Sequence, residues 1–446
     1  MTDARDIAYE LTRRVNSSGG YLNLLLRYRL DESDLDRRDR ALVTELTYGI
    51  QRHRNKLDYI ISSYSRRPLQ RLQPEVLDML RMGIYQLSMM RIPQHAAVNE
   101  TVEVAKRLLN RGAASFINAV LRKAAEGIDT LLWPPREDLV DYLEINHSHP
   151  RWLVEYLLEE ITGEEAEALC IADNNIPTIT LRVNTSLMTR DDLMEEIVNH
   201  GGEAQASPYL QESLVEVVLP HETIMDLLEK GCCVVQDESS MLVSHALDPS
   251  PGSTVVDACA APGGKSTHLA LLGGEDCKII ALDKNPKRLM ALARAVSRQR
   301  LDNIEIKEGD AARLGDLLDE DVDAVLLDAP CSGLGTLQRN PELKWRRRLE
   351  DLPPLADAQL ELLDRCAENL RPGGILVYSV CTFTREETTS VLDRFTSKHS
   401  DFRLIELASH LPEPFSVGAG SSGHIQLMPH IHSMEGMYIA RLTKLG

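Results

Sequence analysis

The sequence predicts a chain of class α plus α/β: an all-helical N-terminal domain, a small α+β module, and a C-terminal doubly wound, Rossmann-like α/β domain. Three observations carry this. Apolar residues recur at helical spacing through the first 125 residues, strand and helix patterns mix between 127 and 240, and from 253 onward a strand, glycine-turn, helix rhythm repeats. The length of 446 residues independently asks for roughly two to four domains. The expected boundaries are 1–126, 127–240 and 241–446.

Helices are expected over 5–15, 40–62, 74–90, 96–110 and 114–125, where "DRALVTELTYGIQRHRNKLDYIISSY" sets Leu42, Leu46, Ile50, Leu57 and Ile61 on or near one face. Trp-Pro-Pro and His-Pro then mark a linker over 126–150. In the middle module "TITLRVNTS", "SLVEVVL" and "CCVVQD" read as strands and "TRDDLMEEIVNHGG" as a helix. In the last domain "STVVDACA", "KIIALD", "NIEIKEGD", "VDAVLLDAP" and "GILVYSVC" read as parallel strands, with helices near 285–300, 355–370 and 385–397.

The formal charge of −19 is unevenly spread. Residues 1–125 carry a net +7, residues 126–240 a net −20, and the remainder −6, so only the first third suits a polyanionic partner. No apolar run is long enough for a membrane span, and no leader-like segment opens the chain. The eight cysteines form no C-x-x-C pair, which suggests neither a metal site nor a disulfide framework. A cytoplasmic chain with reduced thiols is expected.

The loop "DACAAPGGKS" (257–266) follows the first strand of the last domain and opens a helix, whose free amides favour an anionic group. A phosphate-binding loop would need glycine where Cys259 stands, and a plain structural turn stays open. Asp283 ends the next strand, where a carboxylate can accept two ribose hydroxyls. Asp310 follows the third strand and is placed to receive an adenine amine. Three loops in register along one sheet edge describe a nucleoside cofactor without required phosphates, and S-adenosyl-L-methionine fits.

Two thiols stand just past strand ends, Cys331 in "LLDAPCSGLGT" and Cys381 in "GGILVYSVCT". If those strands are neighbours, about 4.8 Å apart, the thiols emerge side by side. Burial as small apolar residues suits Cys170, Cys277 and Cys366 better than these two. A redox pair is one reading. The other is nucleophilic chemistry on a pyrimidine, since C5 of cytosine attacks a sulfonium methyl only after a thiolate has added at C6. Asp328, three residues before Cys331, can reach the N3/N4 edge.

"DACAAPGGKS", "LDAPCSGLGT", "RNPELKW" and "LVYSVCT", in this order, resemble the bacterial RNA (cytosine-5)-methyltransferases. "LTYGIQRHRNKLDYII", "LRMGIYQL", "PQHAAVNETVEVAKR" and "SFINAVLR" resemble the all-helical NusB fold. The fusion is similar to the 16S rRNA methyltransferases of the Rsm-B/Sun/Fmu type, and "HPRWLVEYL" and "TLRVNTS" extend the likeness over the whole chain. The resemblance implies transfer of a methyl group to one cytosine of 16S rRNA, cytosine 967, through a covalent adduct. It further implies that Cys381 is the nucleophile and that Cys331 assists resolution of the adduct. Cys259, Ala260, Ala261, Pro262, Gly263, Gly264 and Lys265 would line the methionine part of the cofactor, Asp283 the ribose, Asp310 the adenine, and Asp328 the edge shared with the base. For Lys265 a helix-start salt bridge stays open. Where the family reads Tyr-Ser-Thr-Cys-Ser this chain has "YSVCTF", so Val380 lacks a hydroxyl that could help hold Cys381.

The partner implied is 16S rRNA, free or in early small-subunit assembly intermediates, with no DNA and no membrane partner, and the chain is expected to act as a monomer. Because the middle module is acidic, phosphate contacts are expected from the basic first third and from Arg339, Lys344, Arg346, Arg347 and Arg348, with Trp345 stacking on a base or simply packing. The rivals are the same chemistry on another RNA such as tRNA, and a non-catalytic RNA-binding or antitermination-type factor.

Overall fold

In the computed structural model, which describes residues 3–419 and 422–446, the helical spacing of the first third is realised as helices Ala4–Ser18, Leu22–Asp31, Arg37–Arg52, Arg54–Tyr64, Pro74–Ser88, Gln94–Leu108 and Arg111–Gly127. Their apolar faces close on one core containing Leu11, Leu46, Ile50, Leu57, Met79 and Leu121. The helix expected over 40–62 is two helices, because His53 leaves helical geometry at φ −111°, ψ 22°. Leu22–Asp31 is an additional helix with apolar residues on both faces, Leu22 buried and Leu24 and Tyr28 exposed, so its spacing gave no amphipathic signal.

The chain divides into one unit of Met1–Asn175 with Leu337–Leu349, and a second of Ile176–Thr336 with Glu350–Gly446. The expected linker contains a helix, Leu139–Asn146, whose N-terminus is capped by the Asp138 carboxylate. Residues up to 175 belong to the helical unit, so the module expected over 127–240 is split at Asn175.

The segment 337–349 is a strap within the helical unit. Glu342 accepts from the Leu22 amide at 2.9 Å, and Trp345 Nε1 donates to the Gln51 carbonyl at 2.7 Å under the Arg54 guanidinium. Arg346 donates to the carbonyls of Val15 and Gly20. Lys344 is fully buried and donates to Asn174 Oδ1 at 2.7 Å and the Ser148 carbonyl at 3.4 Å. The expected phosphate contact is therefore corrected for Lys344, whose ammonium has no access to solvent, and Trp345 packs. Arg346 is committed to backbone carbonyls, Arg339 and Arg347 are half-buried, and Arg348 is exposed.

The second unit holds two sheets. Strands β1 (Ile179–Val183), β2 (Glu203–Ala206), β3 (Ser213–Val218) and β4 (Cys233–Val235) form an antiparallel sheet in the order β2-β3-β1-β4. The larger sheet is built from β5 (Thr254–Asp257), β6 (Lys278–Asp283), β7 (Ile304–Glu308), β8 (Val322–Asp328), β9 (Leu370–Val380), β10 (Phe402–Leu404), β11 (His424–Leu427) and β12 (Met437–Lys444). Its order is β10-β12-β9-β8-β5-β6-β7, with β11 also on β12. Strands β5 to β9 pair in parallel, as expected. The sheet as a whole is mixed, because β10, β11 and β12 pair antiparallel. The link from β11 to β12 is too short for the crossover that a parallel pair requires, so β12 has to reverse. Among the described residues no helix is long and apolar enough to cross a membrane.

Burial pulls the Lys344 ammonium down to about 8, against the pull of the Asp173 carboxylate. Between pH 8 and the ordinary lysine value of 10.5 the unfolded chain keeps a proton that the folded chain has lost, so stability rises with pH across that window. Lys344→Met removes this dependence. Urea unfolding at pH 7.5 and 9.5 should show wild type gaining on the variant by about 3 kcal/mol at most, and an equal response in both proteins would refute the buried assignment.

Candidate active site

Five parallel strand ends build the site. β5 ends at Asp257 and leads through Ala258–Gly263 into the helix Gly264–Gly273. Gly263 sits at φ +109°, and a Cβ there would lie 2.5 Å from Leu292 Cδ1, so both conformation and packing require glycine. Gly264 has ordinary space around it and marks the helix start, where the first amides lack intrahelical partners. The small sheet supports this helix through Arg182 on β1, which is fully buried and donates to the Gly264 carbonyl at 2.6 Å and to Thr267 Oγ1 at 2.8 Å. Nothing in the sequence signalled that arginine, because its partners lie 54 or more residues away.

At the end of β6, Asp283 is buried and accepts from the amides of Ala261 at 3.3 Å and Asn285 at 2.8 Å, with Arg288 Nη1 at 3.4 Å. After β7, Asp310 caps the short helix Ala311–Asp316 by accepting from the Ala312 amide at 3.1 Å. Cys259 is half-buried, and burial followed by the charge of Asp257 pushes its thiol up to about 12, so it remains neutral. Asp257 was not among the expected residues. It is buried, accepts from Ser266 Oγ at 2.6 Å, and burial pushes its carboxyl up to about 7.

Strands β8 and β9 are adjacent and parallel, with Asp328 opposite Ser379. The loops that follow bring the two thiols together: Cys331 Sγ and Cys381 Sγ are 3.2 Å apart. Asp328 accepts from Ser379 Oγ at 2.8 Å through one carboxylate oxygen and from Lys265 Nζ at 2.7 Å through the other. Lys265 thus takes the salt-bridge reading, with Asp328 as partner. Burial disfavours its charge, but the Asp328 carboxylate outweighs burial and raises its ammonium above the ordinary value. The hydrogen bond to Cys381, reinforced by burial, holds the Cys331 thiol well above the ordinary range.

The thiol loops are stitched by residues without a local sequence signature. Glu387 is buried and accepts from the Ser332 amide at 2.8 Å, Gln359 Nε2 at 3.0 Å and Thr384 Oγ1 at 2.8 Å. Gln359 Nε2 also donates to the Pro330 carbonyl at 3.0 Å. Ser332 and Thr382 hydroxyls meet at 2.8 Å, and the Gly335 amide donates to the Cys381 carbonyl at 3.0 Å. Val380 points into the core, and the hydroxyl that meets Ser332 comes from Thr382, one residue past Cys381.

The donor set fits S-adenosylmethionine. Helix-start amides at Gly264 suit its carboxylate, the buried Asp283 suits vicinal hydroxyls, and Asp257 and Asp328 suit its cationic end.

Comparison with known proteins agrees with this reading. The profile of the family 16S rRNA methyltransferase RsmB/F matches residues 244–443, that of the NusB family matches 2–126, and that of the ferredoxin-like domain of RsmF/B-like methyltransferases matches 149–216. The chain is 36% identical over 452 residues to a probable ribosomal RNA small subunit methyltransferase B of Bacillus subtilis, covering 100% of this chain and 99% of that protein. It is 34% identical over 433 residues to ribosomal RNA small subunit methyltransferase B of Pseudomonas syringae, covering 97% and 95%. Among solved structures, PH0851 superposes with TM-score 0.83 at 27% identity over 99% of each chain. NSun6 from Pyrococcus horikoshii, solved with the S-adenosylmethionine analogue SFG, superposes with TM-score 0.60 at 26% identity over 67% of this chain and 98% of that one. With whole-length identity of this order behind the cofactor loop and the paired thiols, the chain belongs to the 16S rRNA methyltransferase RsmB/F family and is an S-adenosylmethionine-dependent rRNA methyltransferase.

Proposed function

We propose that the chain methylates C5 of one cytosine in 16S rRNA, cytosine 967, through a covalent adduct with Cys381. The observation that carries the reading is the pair of thiols 3.2 Å apart at the ends of adjacent parallel strands, beside a carboxylate held by Lys265 and Ser379. A cytosine unstacked from the RNA presents C6 to the Cys381 thiolate; the S–C6 bond forms and the ring electrons move to C5. Asp328 accepts from the N4 amine, and the Lys265–Asp328 pair stabilises charge along the N3/N4 edge. S-adenosylmethionine, held by 259–264, Asp283 and Asp310, would supply its sulfonium methyl group to C5 and leave as the neutral thioether. A base then takes the C5 proton, the C5–H electron pair re-forms the C5–C6 double bond, and the S–C6 bond breaks to release the Cys381 thiolate, which the Cys331 S–H stabilises.

The substrate is taken as 16S rRNA, free or partly assembled, by a monomer. Its phosphates meet the basic helical third together with Arg339, Arg347 and Arg348. A tRNA substrate would use the same chemistry and is separated from this reading by the first experiment.

Incubating the chain with S-adenosylmethionine and unmodified 16S rRNA, followed by bisulfite sequencing, should give a single new 5-methylcytosine that vanishes in Cys381→Ala. Cys331→Ala should accumulate an RNA–protein adduct stable on a denaturing gel. Methylation surviving in Cys381→Ala refutes the nucleophile, and methylation of tRNA alone refutes the substrate. Asp328→Asn should lower kcat by about 100-fold or more while the chain stays folded, since it removes charge stabilisation at the reacting ring. Gly263→Ala should weaken cofactor binding at least about tenfold by calorimetry, because the loop must rearrange to admit the methyl at positive φ. Unchanged affinity would place the cofactor elsewhere.

A further inference from the structure

Glu212, His245 and His268 meet in the second unit, away from the residues of the thiol pair. His245 Nε2 lies 2.7 Å and His268 Nε2 3.1 Å from the same oxygen, Glu212 Oε1, and the three ligand-capable atoms all fall within 4.8 Å of one another. The two imidazoles meet edge to face at 5.3 Å. As hydrogen bonds alone this arrangement is incomplete. Both rings have to direct an N–H at one oxygen, and the buried Nδ1 of His268 then has no partner among the described residues.

We propose that these three side chains bind one divalent transition-metal ion of the zinc class. The donor set, two imidazoles and one carboxylate, is the one such ions take with a fourth position open. In a tetrahedral site with bonds of about 2.0–2.1 Å, neighbouring ligand atoms stand about 3.3 Å apart, so the two imidazoles need to draw back from Glu212 Oε1 by roughly 0.6 and 0.2 Å. An entry path exists, because Glu212 and His268 line a cleft of 270 Å³ together with Thr185, Thr189 and Arg190. The charged groups facing the cluster are Arg182 on β1 and Arg190 on the cleft wall, with Glu238 near Glu212. The arginines temper the affinity and Glu238 offsets them in part.

The position in the fold gives the ion a role. Glu212 precedes β3 of the small sheet, His245 lies on the helix Glu238–Leu247, and His268 lies on the helix that starts at the cofactor loop. An ion on all three clamps the small sheet to that helix.

The test uses the full chain, stripped with a chelator and titrated with Co²⁺ by visible absorption and with Zn²⁺ by equilibrium dialysis. The expected result is one ion per chain, with weak ligand-field bands, no thiolate charge-transfer band, and an unfolding midpoint that rises with metal concentration. Glu212→Gln and His245→Gln, each checked for wild-type circular dichroism, should weaken binding at least tenfold. A Cys331→Ser/Cys381→Ser double variant should bind as wild type does, which separates this cluster from the thiol pair. Absence of stoichiometric binding by the folded wild-type chain overturns the proposal. Binding that survives in both Gln variants, or that disappears in the double cysteine variant, overturns it equally.

Discussion

The register between β8 and β9 is the constraint on which the active site depends. Side chains alternate across a strand, so a slip of one residue would turn Asp328 to the opposite face from Ser379 and carry Cys331 away from Cys381. The register is pinned from both sides. Leu326, Leu327, Val377 and Tyr378 are buried in the layers above and below the sheet, and the Tyr378 hydroxyl reaches the Glu387 carbonyl at 2.7 Å and Gln359 Oε1 at 3.1 Å. Beyond the strand ends the Ala329 amide still pairs with the Ser379 carbonyl at 2.9 Å. The thiols are therefore positioned by the sheet core, and the loops that carry them inherit that rigidity.

The same register explains the electrostatics of the site. Asp328 is compensated by Lys265 on one oxygen and bonded by Ser379 on the other, so its charge is held in place before any substrate arrives. A second full negative charge nearby would be costly, and the charge of Asp328 adds to burial in pushing Asp257 towards its neutral form. The two aspartates of the pocket thus differ in environment: Lys265 bonds Asp328, whereas burial dominates at Asp257.

Much of this was legible because parallel sheets put functional residues at strand ends, where a motif and its structural role coincide in a few consecutive residues. "DACAAPGGKS" and "LDAPCSGLGT" encode both the turn and the chemistry. What was illegible is distributed. Glu387 and Gln359 hold the Cys331 loop from 29 to 55 residues away, and Arg182 supports the cofactor-loop helix across 82 residues; none has a local signature. The basic run at 344–348 misled for a physical reason. A run of cations reads as a solvated or RNA-facing surface unless something else desolvates it, and here the strap is absorbed into the helical unit, where carbonyls and Asn174 take the place of water around Lys344 and Arg346. Strands β10, β11 and β12 lay outside the five strands read from the sequence, because a strand pattern reports burial and not polarity of pairing.

The acidic stretch 126–240 poses the remaining physical question, since an rRNA enzyme with a net −20 over 115 residues should repel its substrate there. Part of that charge is consumed locally. Arg151 gathers Asp141, Glu144 and Glu155, Arg136 pairs with Glu167, and Glu165 and Asp192 close capping boxes with Thr162 and Thr189. These contacts order the helices but neutralise only a minority of the carboxylates. The surplus raises the cost of holding phosphates anywhere on this stretch. Non-specific RNA binding depends on total positive charge, whereas a specific complex depends on where that charge sits. An acidic middle therefore suppresses the first more than the second, and the charge asymmetry acts in favour of selectivity.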